Sequence, residues 1–303
     1  MKTSIQSLPL VLGTAQLGMN YGIANKEGKP SRERALEIVA EAWKKGIRFF
    51  DTAQAYGESE SVLGECLRAL GDGTSGNEPA VISKLHPEIR PSDGQAVLRA
   101  VGESLKRLRI KTLWGLMLHR ESWLEGATGL FEEVADRLKR EGKIRFFGIS
   151  VYSPEMASKA LNTPGIDLVQ VPFNIFDQRA LRQGIFESAR KKNKTIFVRS
   201  VYLQGLLLLD PEDLPRHMLF SKSALSLLRE TARKGQLSPK VLALSYVVQN
   251  AGEALIVIGA EEPSQVTENV DLLKKAQQVS LWDLAFLAQE DPKLINPAAW
   301  SAS

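Results

Sequence analysis

The feature that most constrains the fold of this 303-residue chain is a repeated alternation of short apolar segments with amphipathic ones. The apolar segments are typical of buried strands, and the amphipathic ones place apolar residues three and four positions apart, as on one helix face. A longer connecting segment, 201–217, and two predicted helices, 221–234 and 238–250, precede the last strand. The predicted strands are 10–14, 47–51, 80–84, 113–119, 144–150, 167–171, 195–199 and 254–259.

This order of elements predicts an α/β fold in which all strands are parallel. We expect a closed (β/α)8 TIM barrel that forms a single domain over residues 1–303. An open, doubly wound sheet is the alternative. Gly13, Gly18 and Gly22 follow the first strand but are too loosely spaced for the Gly-x-Gly-x-x-Gly turn that holds a pyrophosphate in that fold. The closed barrel is therefore favoured.

Composition and charge exclude several classes of function. The net charge is +4, but the basic residues alternate with acidic ones and form no stripe with aromatic residues, so we expect no nucleic-acid binding. No apolar stretch reaches the length of a membrane span or a signal peptide, which predicts a soluble, cytoplasmic protein without a membrane partner. The single cysteine, Cys66, fits a small core residue and predicts neither disulfides nor a metal site. The sequence leaves the oligomeric state open.

Three successive predicted strands each end on an ionisable residue. These residues are Asp51, Lys84 and His119, and Tyr56 follows Asp51 in the next loop. For Asp51 and Tyr56 alone, the simplest interpretation is a helix N-cap and a loop aromatic. The recurrence at the carboxyl ends of three strands, where the active sites of parallel barrels lie, instead predicts one shared pocket.

The four side chains have complementary chemistry. A phenol is a poor acid at neutral pH, but a neighbouring ammonium favours the phenolate and lowers the pKa of the phenol. We expect Lys84 to act in this way on Tyr56, with Asp51 as the counter-ion of Lys84. His119 can donate a hydrogen bond to a substrate oxygen and position it.

The motifs of the chain resemble those of the aldo-keto reductase family. Asp51, Tyr56, Lys84 and His119 match its catalytic tetrad in order and position. The matching segments are Asp-Thr-Ala-x-x-Tyr-Gly-x-Ser-Glu at 51–60, Ser-Lys at 83–84, Leu-His at 118–119, Gly-Ile-Ser at 148–150, Gln170, Phe-Asn at 173–174 and Glu-Asn at 268–269. The resemblance implies an NAD(P)H-dependent oxidoreductase that interconverts an aldehyde or ketone and its alcohol without a metal. Tyr56 would protonate the carbonyl oxygen as hydride arrives from the nicotinamide.

The resemblance also implies the position of the nicotinamide. Ser150 and Gln170 match residues that hold its carboxamide. Val151 replaces a frequent asparagine, so Asn174 is a candidate for the missing contact. A further departure is Arg199, which stands with Ser200 where many members stack an aromatic ring. Its guanidinium could stack on the nicotinamide, reach the pyrophosphate or form a salt bridge at the strand end.

The segment 258–269 resembles the part of the family that binds the adenosine half of the cofactor. Its candidate contacts are Gly259, Ala260, Glu261, Gln265, Glu268 and Asn269. NADP(H) is the family default, held through a lysine or arginine at positions that are Glu261 and Gln265 here. Glu261 and Glu262 would repel the 2′-phosphate and could accept hydrogen bonds from ribose hydroxyls. We therefore hypothesise that NAD(H) is used well.

The substrate is the least constrained part of the prediction. Tyr21 and Trp123 are the candidate substrate-binding residues, for a small and possibly sugar-derived carbonyl compound or alcohol. The tail from residue 291 either covers the pocket through Trp300 or lies on the barrel, and we favour the second. Two other functions stay open. One is a nicotinamide-binding regulatory or scaffold subunit with little turnover. The other is a lyase that uses Lys84 as a Schiff base without nicotinamide.

Overall fold

Eight parallel strands form one closed barrel in chain order, so β1 pairs with both β2 and β8. The computed structural model describes residues 8–71, 78–124 and 128–300, without the side chains of 128–131. The predicted (β/α)8 barrel is confirmed. The strands are β1 (Leu10–Gly13), β2 (Phe49–Asp51), β3 (Ala80–Lys84), β4 (Leu113–Leu118), β5 (Ile144–Ser150), β6 (Leu168–Pro172), β7 (Thr195–Arg199) and β8 (Leu255–Gly259).

Helices return the chain from the end of each strand to the start of the next. Serine side chains cap several of them. Ser31, Ser153 and Ser238 each accept a hydrogen bond from the first turn of the following helix. The helices are α1 (Ala15–Gly18), α2 (Arg32–Lys44), α3 (Ser59–Ala69), α4 (Gly94–Leu108), α5 (Thr128–Arg140), α6 (Pro154–Asn162), α7 (Arg179–Arg182), α8 (Ile185–Lys191), α9 (Lys222–Lys234), α10 (Pro239–Asn250), α11 (Pro263–Gln278) and α12 (Pro292–Ile295). Short 3-10 turns are Glu121–Leu124, Leu203–Leu208, Arg216–Ser221, Ala285–Leu287 and Pro297–Ala299.

The apolar core has two parts because successive strand residues point to opposite faces. Phe49 belongs to a small cluster with Trp114 and Leu168, whereas Phe50 packs in the larger cluster that includes the helices. The Phe49 and Trp114 rings meet edge to face with centroids 5.0 Å apart. At Gly148 a Cβ atom would lie 2.3 Å from the carbonyl oxygen of Leu168, so only glycine allows this approach of β5 to β6. The small cluster fills the barrel and leaves its carboxyl-terminal mouth for polar residues.

Several local predictions were wrong. The sequence pattern predicts one helix over about 179–192, but the structure has two, because Gly184 adopts φ 66° between α7 and α8. Ser92 is the residue that the sequence suggests as the start of the helix before β4, but Asp93 accepts the capping hydrogen bond of α4. The spacing of Leu36 with Val39, Ala40 and Trp43 predicts a buried Leu36, but this residue is exposed. These errors concern boundaries and one helix face, and they leave the order of elements unchanged.

The sequence also predicts a polar loop over 71–79 and an apolar helix face that includes Phe131. Residues 72–77 and the side chain of Phe131 lie outside the described part of the chain. Cys66 is buried in α3, as expected for a core residue. Among the described helices, none combines the length and apolar character needed to cross a bilayer. The described side chains contain no cluster of three or more histidine, cysteine or acidic residues able to hold a metal.

Candidate active site

The ends of three neighbouring strands bring the four predicted catalytic side chains together. Asp51 and Lys84 are the last residues of β2 and β3, and His119 directly follows β4. Lys84 Nζ donates to Asp51 Oδ2 at 2.6 Å and to the Thr52 carbonyl at 3.0 Å. Lys84 Nζ lies 5.1 Å from the centroid of the Tyr56 ring, and the Tyr56 and His119 ring centroids are 5.8 Å apart. The predicted convergence is therefore present.

The turn that carries Tyr56 is fixed by tight backbone packing. A Cβ atom on Gly18 would lie 1.9 Å from the Tyr56 carbonyl oxygen, so α1 can approach the turn only with glycine at this position. Ser59, at the start of α3, shares hydroxyl contacts with Thr14 at 2.8 Å and Thr52 at 2.9 Å. This buried hydroxyl cluster ties the end of β1, the end of β2 and α3 into one unit that positions Tyr56.

A chain of hydrogen bonds crosses the mouth of the barrel through Asp51. Gln170 Nε2, on β6, donates to Asp51 Oδ1 at 2.9 Å, and Ser150 Oγ, on β5, contacts Gln170 Oε1 at 3.2 Å. The interpretation of Asp51 as a helix cap is wrong. The residue before α3 is Glu58, whose side chain makes no capping hydrogen bond, and both Asp51 oxygens are occupied. Sequence reasoning missed the contact of Gln170 with Asp51.

Burial sets the protonation states of these side chains. It raises the pKa of Tyr56, and Asp51 raises it further, whereas Arg199 opposes the rise. Burial also lowers the pKa of Lys84, an effect that Asp51 opposes. Burial, followed by the charges of Lys84 and Arg199, lowers the pKa of His119 to about 3. At neutral pH the phenol is protonated and the imidazole is neutral.

The expected lowering of the Tyr56 pKa by Lys84 is wrong for the protein without a ligand. The ammonium of Lys84 is neutralised by Asp51 at 2.6 Å, so its charge has little net effect on the phenol. Loss of hydration then dominates, because an ionised phenol would be poorly solvated in this position. Tyr56 therefore stays protonated at neutral pH.

A cavity of about 260 Å³ runs from the tetrad to the start of α11. Asp51 and Tyr56 line one end, and Glu261, Gln265 and Asn269 line the other. The other predicted site residues that line it are Tyr21, Gln170, Arg199, Ser200 and Gly259. The loop after β7 lies against the loop after β1 along this cavity, where the Ile23 N–H donates to the Gln204 carbonyl at 3.0 Å.

Other predicted residues do not line this cavity. Ser150 is buried beside Gln170, and Ala260 is buried after β8. Asn174 is fully buried, with Nδ2 donating to the Ser200 carbonyl and Oδ1 accepting from two backbone N–H groups. Trp123 packs against the core. Asn174 thus braces the loop after β6.

His119 and the tail border the adjoining side of the mouth. His119 lines a neighbouring opening together with Tyr152. The Trp300 indole N–H donates to the Lys293 carbonyl at 2.6 Å, so Trp300 folds back on α12 and lines neither this opening nor the cavity. The preceding tail residues Asn296 and Pro297 line a smaller cavity of about 110 Å³ with Tyr152 and Arg199.

Arg199 makes none of the salt bridges considered from sequence. Its Cζ lies 4.3 Å from the centroid of the Tyr152 ring. Nη1 donates to Ser200 Oγ and Nη2 to the Val151 carbonyl, each at 3.2 Å. Among the residues that the structure describes, no carboxylate lies within ion-pair distance of Arg199. This guanidinium borders the cavity with its charge unpaired.

The α11 end of the cavity combines acidic residues with one lysine. Glu262 forms an ion pair with Arg34, and the Glu261 N–H donates to Gln265 Oε1 at 2.7 Å. Burial, followed by the charges of Glu27 and Glu262, raises the pKa of Glu261. A second ion pair joins Glu268 to Lys240 of α10 at 2.6 Å. Sequence reasoning missed Lys240, which lines the cavity.

The lining of the cavity fits a nicotinamide dinucleotide. Gly13, Gly22, Gly205 and Gly259 contribute bare backbone to its walls. A Cβ atom on Gly259 would lie 2.1 Å from the side chain of Gln16, so a larger residue would crowd the wall. Asn269 Oδ1 is buried and has no hydrogen-bond partner in the described part of the chain, which leaves an acceptor available for a ligand.

Fold and site together define a class. A closed parallel barrel with a phenol, an ammonium, a carboxylate and an imidazole at its carboxyl-terminal mouth, beside a cavity whose lining suits a dinucleotide, has the arrangement of a barrel enzyme. Residues 9–285 match the model of the Aldo/keto reductase family, and the chain belongs to that family. It is therefore an oxidoreductase of the aldo-keto reductase type.

Individual relatives are distant but nearly full length. "Aldo-keto reductase YhdN" of Bacillus subtilis is 24% identical, with 97% of this chain and 90% of the relative covered. "NADH-specific methylglyoxal reductase" of Escherichia coli is 26% identical, over 89% and 91%. A solved aldo/keto reductase from Klebsiella pneumoniae in complex with NADP and acetate has a TM-score of 0.68 and 22% identity, over 96% of this chain and 92% of that one. The last comparison supports the fold.

Proposed function

We propose that the protein reduces an aldehyde or ketone to its alcohol, or catalyses the reverse reaction, with Tyr56 as the general acid and base. The observation that carries this proposal is a phenol whose pKa is raised by burial, beside the buried Lys84–Asp51 pair and at one end of a cavity that fits a dinucleotide. A protonated phenol is what reduction of a carbonyl at neutral pH requires.

The tetrad would manage the proton of the reaction. A bound reduced nicotinamide supplies hydride to the carbonyl carbon. Tyr56 donates its proton to the carbonyl oxygen, which becomes the alcohol, and then recovers a proton from solvent. Lys84 lies 5.1 Å from the Tyr56 ring centroid with its charge balanced by Asp51, so the raised pKa of the phenol favours return of a proton to Tyr56. His119 is neutral, so it can donate a hydrogen bond to the substrate oxygen without adding a charge.

The candidate cofactor-binding residues form two groups, those that line the cavity and those that do not. Gln170 lines the cavity next to Asp51, so it is the candidate for contact with the nicotinamide carboxamide, and Ser150 would orient the Gln170 amide. Gln265 and Asn269 would contact the adenosine half, where the unpaired Asn269 Oδ1 can accept from an amino group. We assign Asn174, Ala260 and Glu268 supporting positions because they do not line this cavity.

We infer that the protein uses NADH efficiently. The α11 end presents Glu261 and Glu262, and the one lysine that lines the cavity there, Lys240, is paired with Glu268 at 2.6 Å. A 2′-phosphate would have to compete with that carboxylate for Lys240. The Escherichia coli relative is NADH-specific by name, whereas the solved Klebsiella pneumoniae structure contains NADP, so both cofactors occur among similar proteins.

The cofactor inference is tested by measuring kcat/KM with NADH and NADPH on the same carbonyl substrate. A preference for NADPH beyond about a hundredfold, or about 2.7 kcal/mol, would contradict it. Lys240→Met offers a matched variant, because it removes the lysine that lines the described cavity without touching the acidic residues. Efficient use of NADH predicts that Lys240→Met changes kcat/KM with NADH by less than about threefold.

The reaction itself is tested with a panel of aldehydes, ketones and sugar-derived carbonyl compounds, with consumption of reduced cofactor as the measurement. Turnover of at least one class supports the proposal. Tight cofactor binding, seen as fluorescence quenching, with no turnover of any of them would instead support the regulatory or scaffold subunit. A Schiff base at Lys84 would require access to Nζ, but the side chain is 1% exposed and bound to Asp51. Borohydride trapping with carbonyl compounds should therefore leave Lys84 unmodified.

A further inference from the structure

We propose that Arg199 binds a carboxylate or phosphate group of the substrate, so that the enzyme selects carbonyl compounds that carry a negative charge. This inference rests on the proposed carbonyl reduction, and it adds the substrate class. It assigns Arg199 a role in specificity, while the tetrad performs the chemistry.

The first support is the unpaired charge of Arg199. One face of its guanidinium lies on Tyr152, and its hydrogen bonds go to a hydroxyl and a backbone carbonyl, both neutral. A guanidinium has five N–H donors, so these contacts leave donors free for an anion. A partly buried cation without a counter-ion favours binding of an anion, because the ligand then supplies the missing charge.

The second support is the direction in which the side chain points. Arg199 ends β7 and donates to the carbonyl of Val151, which follows β5. In the barrel, β5 lies two strands from β7 on the side opposite β8, and β8 leads to the adenosine end of the cavity. The guanidinium therefore lies on the β5 side of the mouth, away from the adenosine end, and rests on Tyr152, which borders the opening that contains His119.

The third support is the space around the guanidinium. Arg199 lines both the cavity that contains Tyr56 and the smaller cavity of about 110 Å³ formed with Asn296 and Pro297 of the tail. Tyr152 lines this smaller cavity and also the opening that contains His119. A substrate could therefore place its carbonyl near Tyr56 and His119 while its anionic group reaches Arg199.

The fourth support is the charge balance of this side of the mouth. Lys84 is neutralised by Asp51, and Arg179, which also lines the smaller cavity, is paired with the buried Asp177 at 2.8 Å. Arg199 keeps its charge unshared, and that charge helps to lower the pKa of His119. An anion that enters this region would find Arg199 as its available partner.

The test compares pairs of carbonyl compounds in which one member carries an anionic group and the other is neutral. The pairs are 4-formylbenzoate with its methyl ester and glyceraldehyde 3-phosphate with glyceraldehyde, so the carboxylate and phosphate arms are separate. Hydrogen bonds to a charged group are worth about 1.5–3 kcal/mol, which corresponds to about a ten- to hundredfold higher kcat/KM for the anion in at least one pair. Equal values within both pairs would overturn the proposal.

Substitutions of Arg199 test whether a preference for the anionic substrate depends on this side chain. Arg199→Gln should remove the preference by raising KM for the anion about ten- to hundredfold more than KM for its neutral partner. Arg199→Lys keeps the charge and should retain part of the preference, which guards against a folding defect in the first variant. Arg182→Gln removes an exposed arginine, paired with Glu290 on the same side, and should retain the full preference. Loss of activity with both members of a pair, together with weaker NADH binding, would place Arg199 at the cofactor and overturn the proposal.

Equilibrium binding separates this inference from the proposed reaction. Isothermal titration of the NADH-bound protein with 4-(hydroxymethyl)benzoate and glycerol 3-phosphate, against 4-(hydroxymethyl)benzamide and glycerol, needs no turnover. Tighter binding of at least one anion, lost in Arg199→Gln, supports the anion site even if no carbonyl is reduced. Equal binding of charged and neutral compounds in both pairs would overturn it even if the protein is an active reductase.

Discussion

Replacing Asp51 by asparagine tests the buried ion pair on which the site is built. The Lys84 side chain is 1% exposed and that of Asp51 is 6% exposed, with a contact of 2.6 Å between them. The substitution would leave the ammonium buried beside a neutral amide. Removing one partner of a buried pair costs about 3–5 kcal/mol, a large part of the roughly 5–15 kcal/mol that stabilises a typical protein. We expect Asp51→Asn to lose about that free energy of unfolding at pH 7.

The pH dependence of the loss has a definite sign. Burial lowers the pKa of Lys84 in the folded state and Asp51 raises it, so without Asp51 the pKa falls further. Between the folded and the unfolded pKa the unfolded chain binds one more proton, and the free energy of unfolding therefore rises with pH. The slope approaches about 1.4 kcal/mol per pH unit at most. Asp51→Asn should be steeper than the wild type from neutral pH toward the unfolded pKa, near 10.5.

Urea unfolding followed by circular dichroism at pH 7, 8 and 9 measures both quantities. The double variant Asp51→Asn, Lys84→Met removes the orphaned charge as well and should recover most of the lost stability. A loss below about 1 kcal/mol, which is typical of an exposed pair, would refute the assignment of a buried ion pair. An unchanged pH slope would refute the assignment of Lys84 as the group that titrates.

Three further predictions concern the same site, and the first has a control at Gly102, outside the site. Gly18→Ala should destabilise the protein by about 1–3 kcal/mol in urea unfolding and lower kcat, since its Cβ would meet the Tyr56 backbone at 1.9 Å. Gly102→Ala, in α4 with nothing within 4 Å, should instead stabilise it by about 0.5–1 kcal/mol. The His119 pKa of about 3 predicts that stability falls as pH drops from 6.5 toward 3, because the unfolded chain binds the extra proton, and His119→Gln should fall less. The raised pKa of Tyr56 predicts no alkaline loss of kcat/KM for reduction from tyrosine ionisation below pH 10.

The barrel and the tetrad were predictable from the sequence because both follow from the ends of strands. Asp51, Lys84 and His119 each follow an apolar run, and a parallel barrel collects the carboxyl ends of its strands at one mouth. Tyr56 lies in the loop after β2, and its place in the tetrad followed from the resemblance to the family motif at 51–60. Tyr21, a candidate substrate-binding residue, lines the cavity, and its contact with substrate stays a prediction.

The protonation states were not predictable, because they depend on burial and on which charges pair. The sequence contains a lysine expected near Tyr56, but only the contact distances show that Asp51 neutralises it and that loss of hydration dominates the phenol. The same limit applies to Lys240 and Tyr152. They come from α10 and from the loop after β5, and no local motif links either of them to the cavities they line.

The predictions of one helix boundary and one helix face were wrong for local reasons. Gly184 breaks the predicted helix over 179–192 because its φ of 66° suits the turn between two short helices, whereas the apolar periodicity continues across it. Leu36 has the spacing of a core residue but lies on the solvent face, because the buried stripe of α2 is formed by Ala35, Ile38, Val39 and Ala42. Two of these four residues are alanines, which are only weakly hydrophobic, so the sequence pattern did not identify this face as the buried one.

The most direct measurement compares Tyr56→Phe with Tyr21→Phe in NADH-dependent reduction. Both variants remove a phenol oxygen that borders the same cavity. Tyr56→Phe should bind NADH as the wild type does but lose turnover by about 10²- to 10⁴-fold or more, because the proton donor is gone. Tyr21→Phe should keep kcat within about tenfold of the wild type, the difference expected of a wall residue that does not donate the proton of the reaction. A Tyr56→Phe enzyme that retains most of its turnover would show that another group supplies the proton.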